Sequence, residues 1–75
     1  MDYNNVKMIP VESSNVESVG YDECEQVLYV RFLTGATYIY KGVNSYEFDG
    51  LLAAPSVGSY LHRNIKNNYP YERIE

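Results

Sequence analysis

The sequence predicts a small α+β domain: a three-stranded antiparallel sheet with two C-terminal helices packed on one face. The expected order is β-β-β-α-α, with room for a short final strand. Three observations predict it. Val27 to Leu33 and Ala36 to Val43 are rich in β-branched and aromatic residues and are separated by a Gly-containing break. Apolar residues after Asn44 and Ser56 recur at helical spacing. The chain has 75 residues, enough for one thin core and no second one.

Residues 1–12 show no clear period and read as an irregular N-terminal segment. Val6, Met8, Ile9 and Val11 are available there as an edge segment or a flap over the core. Residues 13–75 carry the patterned domain. Ser13-Ser14-Asn15 is a polar break. Val16 to Tyr21 reads as the first strand, and Gly20 inside it marks a bulge or a close backbone approach. Residues 22–26 form an acidic connection.

Val27 to Leu33 is the strongest strand signal, with no breaker. Thr34-Gly35 is read as a two-residue hairpin loop. That register sets Tyr29 opposite Tyr40 and Arg31 opposite Tyr38. Strand side chains alternate between faces. Leu28, Val30, Phe32 and Ile39 would then point to the core. Tyr29, Arg31, Leu33, Ala36, Tyr38 and Tyr40 would form an outward aromatic face carrying one cation.

Asn44 is a helix cap with Glu47 as its capping-box partner. The helix runs from Ser45 to Ala53 and buries Phe48, Leu51 and Leu52. Pro55 stops it, because the residue before a proline avoids the α region. Ser56 caps a second helix whose stripe is Val57, Tyr60 or Leu61, and Ile65. Tyr71 to Ile74 is a short final strand or an extended tail.

Composition narrows the function. The net charge is −4. Residues 1–26 hold six acids against Lys7 alone, while residues 27–75 are near neutral. An acidic chain repels a polyanion at long range, so nucleic-acid binding needs the bases gathered on one face. Cys24 is the single cysteine, which excludes an intrachain disulfide and a paired-cysteine zinc site. It reads as an incidental turn residue. His62 is the single histidine and has no evident triad partner. No catalytic residue, metal site or cofactor is expected, and the protein is read as a non-enzymatic binding module. No apolar run reaches the ~18 residues of a membrane span. No signal-peptide pattern is present. The expected compartment is the cytoplasm, without membrane contact.

The chain holds nine tyrosines and no tryptophan. Tyr38-Ile39-Tyr40, Gly42-Val43 and Ala54-Pro55-Ser56-Val57-Gly58 stand in that order, preceded by Ser13-Ser14 and Gly20-Tyr21-Asp22. In these the sequence resembles the KTSC domain. That module is named for its place at the C-terminus of some lysyl-tRNA synthetases, and it also occurs as a stand-alone bacterial or phage protein. The resemblance covers roughly residues 11–74. This chain has Asn44 where the family usually has a proline, and Leu61-His62 where it usually has an aromatic residue and Asn. The resemblance implies a binding role, with RNA suggested by the synthetase context.

The candidate ligand-binding residues are Tyr29, Arg31, Tyr38, Tyr40, His62, Arg63 and Lys66. Tyrosine rings stack on bases, and the cations take phosphate. A structural reading competes at each position. The rings can pack beneath the N-terminal segment, and the three helix cations can be a solvated face near a helix C-terminus. The Ala54 to Ser59 junction reads as an anion-holding turn or as a tight helix-helix turn. The expected partner is single-stranded RNA. The alternative is a protein partner, such as a host factor met by a phage-encoded or mobile-element protein, or a second copy in a homodimer.

Overall fold

The computed structural model describes residues 6–75. Five strands form one antiparallel sheet in sequence order. They are β1 Ile9–Pro10, β2 Val16–Asp22, β3 Val27–Phe32, β4 Thr37–Lys41 and β5 Tyr71–Arg73. Helix α1 is Ser45–Ala53, and α2 is Val57–Tyr60, continued by a π-helical turn over Leu61–Ile65. The α+β class holds, but the sheet has five strands rather than three. β1 lies within the stretch expected to be irregular. Ile9 and Pro10 pair with β2, Val11 N–H donates to Glu17 O at 3.2 Å, and a proline is tolerated at such an edge because the ladder loses nothing by its missing N–H. Residues 1–5 of that stretch lie outside the described residues.

The β3–β4 hairpin corrects the expected register. Its loop is three residues, Leu33-Thr34-Gly35, not two. Phe32 N–H donates to Ala36 O at 2.8 Å, and Gly35 N–H donates to Phe32 O at 2.9 Å. Gly35 takes φ +95°, the left-handed residue that ends such a loop. A two-residue turn of the favoured type needs φ > 0 at both positions, which the β-branched Thr34 resists. The extra loop residue slides β4 by one place. Leu28 therefore faces Tyr40, Tyr29 faces Ile39, Val30 faces Tyr38 and Arg31 faces Thr37. Tyr38 and Tyr40 join Leu28 and Val30 on the helix side, while Tyr29 and Arg31 look the other way.

The helices obey their caps. Asn44 Oδ1 accepts from Glu47 N–H at 2.9 Å, and Ser56 Oγ accepts from Ser59 N–H at 3.3 Å. Each satisfies one donor left open at a helix start. The Glu47 carboxylate does not turn back to its cap. It accepts instead from the hydroxyls of Tyr60 and Tyr69. Leu51 is buried and Phe48 stacks on Tyr21 at 5.0 Å, but Leu52 is exposed, against expectation. In the second helix the buried residues are Val57, Leu61 and Ile65, each four places on from the last. That spacing suits the wide turn, in which Lys66 N–H donates to Leu61 O, five residues back.

The core lies between the sheet and these helices. It contains Val16, Val19, Leu28, Val30, Tyr40, Val43, Leu51, Val57, Leu61 and Ile65. A fully buried aliphatic side chain stabilises by roughly 1.5–3 kcal/mol relative to an exposed one. The other sheet face is partly covered by residues 6–8. A Cβ on Gly20 would lie 2.7 Å from Met8 Sδ, 2.7 Å from Val6 Cγ1 and 2.9 Å from Lys7 O. Gly20 thus serves the close approach expected of it, and Val6 is buried over it.

Candidate functional site

The register brings a new set of residues together. On the helix side of β4 and β5 lies an open groove of about 530 Å³. Phe32, Tyr38, Tyr40 and Tyr71 supply its aromatic wall, and Lys66 and Arg73 its cations. Thr34 and Ala36 close it at the hairpin loop. Alternation along β5 sets Tyr71 opposite Tyr40 and Arg73 opposite Tyr38, so all four point to one side. The ring of Tyr71 lies 5.9 Å from that of Tyr38 and 6.0 Å from that of Tyr40. Phe32 meets Tyr38 edge-to-face at 5.7 Å. These separations fall in the range where aromatic pairs attract.

The rings differ in access. Tyr40 is only 3% exposed, Tyr38 is half-buried, and Tyr71 is 61% exposed. Burial pushes the Tyr40 phenol above its ordinary pKa, with Tyr38 and Tyr71 adding to the shift. Tyr40 is the floor of the groove, and Tyr71 is the ring a ligand would meet first. Among the described residues no carboxylate lines this groove. Arg73 Nε donates to the Glu75 main-chain oxygen at 2.7 Å, which anchors the guanidinium and leaves its other donors available.

Of the candidate residues, Tyr38, Tyr40 and Lys66 meet in this groove. Tyr29 and Arg31 do not share it, which corrects the single tyrosine face. Arg31 Nε lies 3.4 Å from Glu17 Oε1. It is buried and lacks hydrogen-bond alignment, so the contact is an ion pair across the β2–β3 bulge. Such an arginine is committed to the sheet. Sequence reasoning missed Phe32 and Tyr71 as groove residues. The signal was present in Tyr71-Glu72-Arg73, whose alternation matches Tyr38-Ile39-Tyr40 once the final strand is paired.

His62 and Arg63 lie on a second groove, of about 470 Å³. Ser13, Ser14 and Asn15 form one bank, and Ser56, Gly58 and Ser59 form the other. A Cβ on Gly58 would lie 2.8 Å from Asn15 Oδ1, so the glycine lets the 13–15 loop, rather than a helix, come close. Ser13 Oγ accepts from Val16 N–H at 3.2 Å and donates to Asn15 Oδ1 at 3.0 Å, which fixes the loop. Two sequence motifs far apart in the chain, Ser13-Ser14 and Ala54 to Gly58, converge here.

A third polar cluster ties the helices to the C-terminal segment. The Glu47 carboxylate raises the Tyr60 phenol pKa to about 12, chiefly by accepting its hydrogen bond. Burial first, and then the same carboxylate, push up the Tyr69 phenol. Cys24 is exposed and free. Among the described residues no group of His, Cys, Asp and Glu could hold a metal ion. No helix among them is long and apolar enough to cross a membrane.

Comparison with known proteins identifies the family. A KTSC domain model matches residues 12–69. A protein of Tsukamurella paurometabola is 48% identical over 62 residues, which span 83% of this chain and 92% of that protein. An uncharacterised protein of Stutzerimonas stutzeri is 37% identical over 71 residues, 93% of this chain and 100% of that protein. A lysine–tRNA ligase of Trichormus variabilis is 31% identical over 67 residues, which make up 89% of this chain and 12% of the ligase. The crystal structure of a KTSC domain protein from Yersinia pestis superposes with a TM-score of 0.90 at 30% identity, over 93% of this chain and 99% of that one. The same module therefore stands alone in small bacterial proteins and forms part of a synthetase, and the chain belongs to the KTSC domain family.

Proposed function

We propose that this KTSC domain is a non-enzymatic module that binds single-stranded RNA in the tyrosine groove. The observation that carries the reading is the exposed ring of Tyr71 flanked by Lys66 and Arg73, with Tyr38 beside it. Flat rings accept any base, and a base stacked on one is worth about 1–3 kcal/mol. The cations take the phosphates on either side. The small synthetase segment with the same sequence pattern supports RNA as the polymer.

Three of the acids lie too far away to oppose this reading at short range. The acids Asp22, Glu23 and Glu25 cluster at the β2–β3 turn. Strands rise about 3.3 Å per residue, so the Tyr38–Arg73 rung lies roughly 10 Å or more beyond that turn. Physiological salt screens exposed charges over about 8 Å.

The test is anisotropy of a labelled oligouridylate over a salt series beginning at about 50 mM. Two phosphate contacts within this groove contribute about −1.4 to the slope in the log–log plot. Tyr71→Ala and Lys66→Gln should each weaken binding. Absence of binding at the lowest salt, or binding indifferent to Tyr71→Ala, overturns the reading.

A second reading is a protein contact on the same surface. It is favoured by one observation: among the described residues β5 pairs only with β4 and ends the sheet, which leaves a free strand edge beside Tyr71. Such an edge accepts another strand. A self-association detected by sedimentation and lost in Tyr71→Ala, with no RNA affinity, would favour this reading.

A further inference from the structure

The charges of this domain divide into two groups. Arg31 is paired with Glu17, Lys41 lies 3.5 Å from Glu72, and Arg73 is anchored on Glu75 O. Apart from Lys7, the basic side chains left without a hydrogen bond or ion pair among the described residues are His62, Arg63 and Lys66. All three lie within five residues, on or just beyond the π turn. His62 and Lys66 are four apart, which sets them on one side of the helical segment. Lys66 reaches the tyrosine groove, while His62 and Arg63 reach the polar groove. The π turn is thus a cationic ridge between two concave surfaces.

The polar groove holds donors that the fold does not use. Ser13 is committed to its own loop. Among the described residues, the side chains of Ser14 and Ser59 make no hydrogen bond, and the Ser56 hydroxyl accepts from Ser59 N–H but donates to nothing. These hydroxyls, with Arg63 and His62, converge on a space of about 470 Å³. Glu12 stands on the rim and is the one carboxylate there among the described residues.

Building on the RNA reading above, we propose that the strand held in the tyrosine groove continues over the π turn, and that a further phosphate is held in the polar groove by Arg63 and the Ser14 and Ser59 hydroxyls. Lys66 is the link between the two grooves. Hydroxyl donors and a guanidinium suit a phosphate oxygen, and they do so without regard to base. Glu12 opposes the phosphate and limits its affinity.

The test compares two probes, the dinucleotide UpU and an oligouridylate of about six nucleotides, by chemical-shift titration of the full chain. UpU fills only the tyrosine groove. The hexanucleotide should bind more tightly. Arg63→Gln should weaken the hexanucleotide about fivefold and reduce its salt slope by about 0.7, one phosphate contact. The same substitution should leave UpU unchanged. Glu12→Gln should strengthen the hexanucleotide and not UpU. Loss of affinity for both probes in Arg63→Gln, or for neither, overturns the proposed path while the tyrosine groove stands. Failure of the unsubstituted chain to bind either probe overturns the groove reading and the path with it.

Discussion

Tyr40 stands directly opposite Leu28 across β3 and β4, and both side chains are buried under the helices. This pairing makes one tyrosine of the Tyr-x-Tyr pair a core residue. It also turns Tyr38 toward Tyr71 instead of toward Tyr29. The two rings that flank Tyr71 consequently have different duties. Tyr40 supports the groove from below, and Tyr38 forms part of its wall.

Truncation separates these duties. Tyr40→Ala removes a ring from the core and should cost about 3–5 kcal/mol in chemical denaturation, the range for large aromatic truncations. Tyr71→Ala removes an exposed ring and should change stability by no more than about 1 kcal/mol. Its effect should appear in RNA binding, as a loss of about 1–3 kcal/mol. Equal stability losses in the two variants would contradict the division into floor and contact.

Much of this fold can be read from residue chemistry. Asn44, Pro55 and Ser56 bound the helices because each has a local physical effect that tertiary packing does not override. The face of a β-hairpin is less local. It depends on whether the loop holds two residues or three, and Thr34-Gly35 invites the shorter count. The β-branch of Thr34 was the contrary sign. Tyrosine gave no further guidance, since a ring with a polar tip is content in a core or in water. β1 was legible only as an available edge segment, because two residues show no period and Pro10 reads as a breaker. The groove needed Tyr71 and Arg73, which alternate over only three residues and gain meaning only when paired with β4. Both grooves combine residues from distant parts of the chain, a relation that spacing cannot express.

The hairpin loop gives a direct check of the register. Gly35 sits at φ +95°, where a side chain is strained whatever room it has. Nothing lies within 4 Å of a Cβ built there, so a substitution meets backbone strain alone. Gly35→Val should destabilise by about 1–2 kcal/mol, and Gly35→Asn by clearly less, because Asn tolerates left-handed backbone better. Equal melting points for glycine and valine would rule out the three-residue loop.

Gly20 tests the cover on the other face. Its absent side chain is replaced by Val6, Met8 and the carbonyl of Lys7. The side chains can move aside, but the carbonyl belongs to a backbone next to β1. Gly20→Ala should therefore cost about 1–3 kcal/mol, the usual range for overpacking. It should also raise amide exchange at Val6 to Ile9 as the segment is displaced. An alanine variant as stable as the parent, with unchanged exchange in that segment, would mean that residues 6–8 do not lie over the sheet.

The Glu47 cluster makes the fold sensitive to alkali. Tyr60 and Tyr69 donate to its carboxylate, and ionising either phenol would set two negative charges together. Hydrogen bonding to Glu47 raises the Tyr60 pKa to about 12 in the folded chain, against 10.0 for the ordinary phenol. A raised folded pKa means that the folded state holds its proton more tightly. The stability this confers is complete below about pH 10 and is lost as pH rises through about 12. Glu47→Gln removes the negative acceptor. Tyrosinate titration of that variant should show a phenol returning toward its ordinary value, and the loss of stability between those two pH values should flatten. A titration curve unchanged by Glu47→Gln would show that the carboxylate does not hold Tyr60.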